Sequence, residues 1–176
     1  MKRRLGVLSA SVILACLLAT PCGAGDVDDY LTKDGKLKAS LMIQYAPRFL
    51  ATPRDPKGEV CVIEPTGEWT KKVAATKGKL SAKQLAALGH FLAAQDFNSL
   101  PGHQGYEPGG VHDGFYVLIR FDKKNAMFSL KNLTDPRTDY LPKPGDAKAA
   151  AWSRFVAVEL FLADLLRASE IKDKNE

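Results

Sequence analysis

Residues 59–73 read EVCVIEPTGEWTKKV, and their reading decides the fold. Two runs rich in β-branched and aromatic side chains flank Pro65-Thr66-Gly67. Proline pre-sets φ at the first turn position, and glycine accepts the positive φ that a bulged three-residue hairpin requires. The stretch predicts an antiparallel hairpin, 59–64 against 68–73. Trp69 and Val73 should share its buried face, and Thr70 and Lys72 should look away. Trp69 is expected as a core anchor. Cys61 sits within Val60-Cys61-Val62-Ile63 and is expected as a buried, inert thiol, since a reactive one needs a polar, electropositive setting.

Downstream, Lys77-Gly78-Lys79 leads into a marked helix start. Ser81 can cap the helix, Gln84 stands three residues on at capping-box spacing, and Leu80 can staple against Leu85. Leu85, Leu88 and Leu92 repeat at helical spacing and define one buried stripe. His90 falls almost opposite that stripe and should be solvated. The helix should end near Gln95, with Phe97 and Leu100 folding back onto the core. Residues 101–114 (PGHQGYEPGGVHDG) hold five glycines and two prolines and read as a long loop.

After the loop, residues 115–121 (FYVLIRF) form a strand with Phe115, Val117, Ile119 and Phe121 on one face. Asp122-Lys123-Lys124-Asn125 turns the chain, and residues 126–131 pair back. Thr134 to Pro144 is a second polar loop. From about Asp146 to Ser169 a long helix closes the domain, packing through Trp152, Phe155, Val158, Leu162 and Leu165. Upstream of the hairpin, residues 38–45 (KASLMIQY) read as a first strand, and 51–58 (ATPRDPKG) as a loop. The order strand, hairpin, helix, hairpin, helix argues for an α+β fold. The expectation is a mostly antiparallel sheet of about five strands packed by two helices, which short hairpin loops favour because parallel pairing needs long crossovers.

The amino-terminal segment differs in kind. Lys2, Arg3 and Arg4 precede an uncharged apolar run from Leu5 to Leu18, the layout of a secretory signal peptide. The run is too short for a bilayer core, which takes about 20 apolar residues. Pro21 and Gly23 break any helix, and Cys22-Gly23-Ala24 offers small side chains to a signal peptidase. Cleavage is expected after Ala24, giving a leader of residues 1–24 and one domain of residues 25–176, with 25–37 and 170–176 loose. A rival exit is Ile13-Leu14-Ala15-Cys16, a lipobox-like stretch in which Cys16 would be lipidated and anchor the protein to a membrane. Leu17 and Leu18 continue the apolar run past it.

Composition narrows the function classes. The formal charge is +5, but three positives belong to the leader, leaving about +2 with acids and bases interspersed. That balance does not suit a nucleic-acid binder. After cleavage Cys61 alone remains of the three cysteines, so packing rather than a disulfide must stabilise the domain. His103, His112 and Asp113 share the glycine-rich loop and could in principle hold a zinc for hydrolysis, although such sites usually stand on rigid elements. The plainer reading is exposed loop histidines. No GxSxG elbow, HExxH or phosphate loop occurs, and neither a cofactor nor catalysis is expected. Long loops in compact domains are commonly functional or disordered, and the plainer alternative here is a linker. His103, Tyr106, Glu107, His112 and Asp113 are therefore the candidate partner-binding residues.

One pattern extends beyond these local readings. Gly78-Lys79-Leu80-Ser81, Gln84-Leu85, Leu88, Asp96-Phe97 and Leu100-Pro101 are followed by a variable loop and Asp113-Gly114-Phe115-Tyr116-Val117-Leu118. This arrangement resembles the emfourins, small protein inhibitors of thermolysin-type metalloproteases. It is also similar to exported bacterial proteins with a hairpin like Thr66-Gly67-Glu68-Trp69. The likeness covers roughly residues 59–130. It departs from the emfourins where 60–69 replaces a glycine-rich first hairpin, and in the leader, the proline-containing loop before Gly58 and the long last helix. The resemblance implies an exported, non-enzymatic binding domain with a protein partner such as an exported protease. A lipid-anchored envelope protein is the alternative. No inhibitory residue carries over by position.

Overall fold

The computed structural model describes residues 25–47, 51–52, 55–56, 59–105, 115–130 and 147–170. At its centre stands strand β1 (Leu41–Pro47), paired antiparallel on one side with β4 (Glu59–Ile63) and on the other with β8 (Phe115–Phe121). A separate pair, β2 (Ala51–Thr52) and β3 (Asp55–Pro56), falls between β1 and β4 in sequence. Beyond β4 lie β5 (Glu68–Lys71) and β6 (Lys77–Lys79). Beyond β8 lies β9 (Lys124–Leu130), flanked by the two-residue β7 (Gln104–Gly105). The sheet order is β6-β5-β4-β1-β8-β9-β7.

The sheet therefore holds six antiparallel strands rather than the five expected, with β7 added parallel at one edge. The additional antiparallel strand is β6, which the sequence presents only as a lead-in to a helix. Its three residues, Lys-Gly-Lys, carry no apolar signal, and tertiary packing supplies the reason for the strand. Gly78 pairs with Trp69, and a Cβ there would collide with the indole ring and the Ser169 carbonyl. Only glycine admits so close an approach.

Hairpin β4–β5 turns as expected. Gly67 adopts φ +89°, and its N–H donates to the Glu64 carbonyl at 2.8 Å while Glu64 N–H reaches Glu68 O at 2.7 Å. Trp69 is only 1 % exposed, and its Nε1–H donates to Ser169 Oγ at 2.9 Å, satisfying the polar atom that a buried indole brings with it. Val73 departs from expectation: β5 stops at Lys71, and Val73 lies beyond it at 70 % exposure. The β8–β9 turn is also tighter than expected. Phe121 already pairs with Lys124, leaving Asp122 and Lys123 in the turn, with Asp122 at φ 51°.

Helix α1 (Ala82–Ala94) begins at Ser81, whose Oγ accepts from Gln84 N–H while the Gln84 side chain accepts from Ser81 N–H. This reciprocal capping box satisfies two otherwise orphaned donors. Leu85, Leu88 and Leu92 are buried and His90 is exposed, as the spacing predicts. Helix α2 (Ala147–Ala168) buries Ala151, Phe155, Val158, Leu162, Leu165 and Leu166, whereas Trp152 is only partly covered. Both helices bury their stripes against one sheet face, formed by Leu41, Ile43, Cys61, Ile63, Trp69, Val117, Ile119 and Phe121. Phe91 of α1 stacks on Phe161 of α2 with ring centroids 4.2 Å apart.

The segment expected to be a loose lead-in is instead packed. Tyr30 and Leu37 are essentially inaccessible, and Leu31 and Leu37 form a bridge. The Tyr30 ring tilts against Phe121 at 5.4 Å, and its hydroxyl accepts from Asn98 N–H at 3.1 Å. Only Val27, Tyr30, Leu31 and Leu37 are large and apolar in this otherwise polar segment, too few to announce burial by pattern. At the other terminus Glu170 bridges to Gly78, and residues 171–176 lie outside the described residues, as do 1–24 with Cys16, Cys22 and the expected cleavage point.

A candidate binding surface at one end of the sheet

The register fixes where each connection leaves the sheet. Pro47 lies opposite Phe115, Phe115 opposite Leu130, Gly105 beside Ser129, and Tyr45 opposite Glu59. The carboxyl ends of β1, β7 and β9 and the amino ends of β4 and β8 therefore share one end of the sheet. The three longest connections, 48–58, 106–114 and 131–146, all depart from it. At the opposite end the chain turns through Pro65-Thr66-Gly67 and Asp122-Lys123.

Of the residues singled out from sequence, His103 is exposed and immediately precedes β7, so parallel pairing with β9 fixes it beside the sheet edge. Tyr106, Glu107, His112 and Asp113 lie outside the described residues. Gly105 and Phe115, which bracket them, stand on either side of the end of β9. Among the described residues, no group of three His, Cys, Asp or Glu side chains is placed to hold a metal ion. No helix among them is long and apolar enough to cross a membrane.

Polar groups near this end of the sheet are occupied in holding the fold. Tyr45 Oη–H donates to Glu159 Oε1 of α2 at 2.8 Å, and burial, with the adjacent Glu159 carboxylate, pushes the phenol well above its ordinary value. Both Glu59 carboxylate oxygens accept backbone N–H groups, from Val73 at 3.1 Å and Ala74 at 3.0 Å, tying down the turn between β5 and β6. Cys61 is 2 % exposed, and burial pushes its thiol up to about 11, with Lys71 opposing the rise and Glu59 adding to it. That environment suppresses the thiolate a nucleophile requires.

A second feature escaped the sequence reading. On the face turned away from the helices, Met42, Val62, Tyr116, Leu118 and Met127 are half-buried, with Val60 and Gln44 buried among them. No described helix covers this face. The signal was present in Val60-Cys61-Val62-Ile63 and Phe115-Tyr116-Val117-Leu118-Ile119, apolar at both parities where a sheet solvated on one side alternates. An open groove of about 560 Å³ lies elsewhere, at the start of α1, between Lys36, Thr66, Lys79, Ser81 and Ser169. Its lysines already pair with acids, Lys36 with Asp34 at 2.9 Å and Lys79 with Glu68 at 3.4 Å.

The residues behind the family resemblance are mostly structural. Gly78 admits Trp69, Ser81 and Gln84 cap α1, and Phe97 and Leu100 are inaccessible. Asp96 takes φ 45° at the exit from α1. No protein-family model, curated protein or solved structure matches the chain.

Proposed function

We propose that the chain is an exported, non-enzymatic binding domain that recognises a protein partner through the sheet end carrying its long connections. The observation that supports this reading is the register, which gathers the connections 48–58, 106–114 and 131–146 at one end of a rigid sheet. Variable loops on a fixed scaffold are where proteins generally place recognition. The apolar outer face, reaching that end at Tyr116, adds area of the kind that marks interaction sites.

The partner class to test first is a thermolysin-type metalloprotease, on the strength of the emfourin-like pattern. The experiment pairs a thermolysin inhibition assay with a pull-down from the exported fraction. Both use the protein beginning at Gly25 and a variant with His103, Tyr106, Glu107 and His112 changed to alanine. Inhibition or capture that the variant loses supports the proposal. Failure of both assays, or binding that the variant retains in full, overturns it.

A further inference from the structure

We infer that cleavage after Ala24 completes the fold, because the new α-ammonium of Gly25 falls into a place already built for a cation at the carboxyl end of α1. The inference rests on the export reading and goes beyond it, from where the chain is cut to what the cut contributes.

Gly25 is the first described residue, and its nitrogen donates to the carbonyl of Ala93, in the last turn of α1, at 2.9 Å. A helix end carries partial negative charge from its unsatisfied carbonyls, and a cation there is stabilising. The last turn of α1 contains no basic residue of its own. One carboxylate lies beside the same spot: a Cβ built on Gly25 would stand 3.4 Å from Asp96 Oδ1 and 3.5 Å from Ala93 O. The other oxygen of that carboxylate, Oδ2, receives Arg154 Nη1 at 3.4 Å, and the same nitrogen donates to Gln95 O at 3.2 Å and Ser99 Oγ at 3.0 Å. Arg154 thus serves one side of the helix end and leaves Oδ1 facing Gly25.

In the uncut chain the Gly25 nitrogen is a neutral amide with one proton to give. After hydrolysis it is an ammonium with three protons and a full charge. One proton keeps the Ala93 bond, and the charge stands beside Asp96 and the helix end. Asp26, Asp28 and Asp29 follow within the same segment and add further negative charge, the Asp26 carboxylate already accepting Asp28 N–H at 3.0 Å. The segment that the ammonium would pin is the one carrying Tyr30 and Leu37 into the core and Leu31 onto Gly89 of α1.

The test compares chains beginning at Gly25 and at Gly23, each with Asp96 and with Asp96→Asn, by denaturant unfolding. Asparagine tolerates the positive φ at this position, so the variant removes charge without straining the backbone. The Gly25 start should raise the folding equilibrium constant about fivefold over the Gly23 start, the scale of a cation at a helix end. Asp96→Asn should shrink that ratio, leaving the part that the helix end contributes. Equal stability of the two starts, or a ratio that Asp96→Asn leaves unchanged, overturns the inference and leaves the export reading intact. Intact mass of the native protein tests the cut itself: an amino terminus at Gly25 supports the inference, and a diacylated Cys16 overturns it while leaving export standing.

Discussion

The two ends of the sheet are built on different principles. At the turn end the constraints are local and tight: Gly67 at φ +89°, Asp122 at φ 51°, Leu80 and Leu85 closing over the hairpin, and Trp69 locked between Gly78 and Ser169. At the loop end the strands are equally regular, yet the connections between them are long and rich in glycine and proline. The turn end thus fixes the strands by tight local geometry, whereas the loop end joins them through long connections. Such a division is expected of a scaffold that presents loops.

The largest test of this division is Trp69→Ala. It removes a buried indole and leaves a cavity, and should destabilise the protein by about 3–5 kcal/mol in denaturant unfolding. A loss under 1 kcal/mol would show that the turn end does not anchor the fold. Alkaline titration ranks next. The Cys61 thiol, held up at about 11, keeps its proton in the folded state while the unfolded chain loses its own near pH 9. The unfolded state then binds fewer protons, so stability is full below about pH 9 and falls as pH rises toward 11. The slope is up to about 1.4 kcal/mol per pH unit for this group, and the raised Tyr30 and Tyr45 phenols act in the same direction at higher pH. Cys61→Ala should flatten the decline, read as Tm against pH.

Ser81→Ala should cost about 1 kcal/mol, the ordinary loss of an N-cap, and Ser81→Asp should recover most of it. The smallest effect on stability belongs to the loop end. The combined change of His103, Tyr106, Glu107 and His112 to alanine should shift unfolding by no more than about 0.5 kcal/mol in all. A large loss there would erase the contrast between the two ends.

Most of the fold was legible wherever burial leaves a periodic trace. The capping box at Ser81, the stripe of Leu85, Leu88 and Leu92, and the turn at Gly67 each follow from a local rule, and the structure contains them. What escaped was decided by contacts distant in sequence. Strand β6 exists because Gly78 fits beneath Trp69 and opposite Glu170, which Lys77-Gly78-Lys79 cannot announce. The packed lead-in exists because Tyr30 and Leu37 find a core assembled from later strands. The candidate surface was half legible. Composition pointed to the loop after Pro101, but only the register reveals that two other long connections leave from the same end. The outer face went unread because alternation was sought on one side of each strand alone.

One consequence follows from how the sheet is bordered. Strand β6 is three residues long, carries two lysines, and is crossed by Ser169 and Glu170, whose backbone engages Lys79 and Gly78. The far border is β7, only two residues long and aligned with its neighbour. An incoming polypeptide gains affinity by zipping onto an exposed row of amides and carbonyls, and β6 and β7 themselves offer only short rows. Short, charged or covered margins also keep such sheets from joining one another into fibrils. Among the described residues, these two margins give an added ribbon little backbone to pair with.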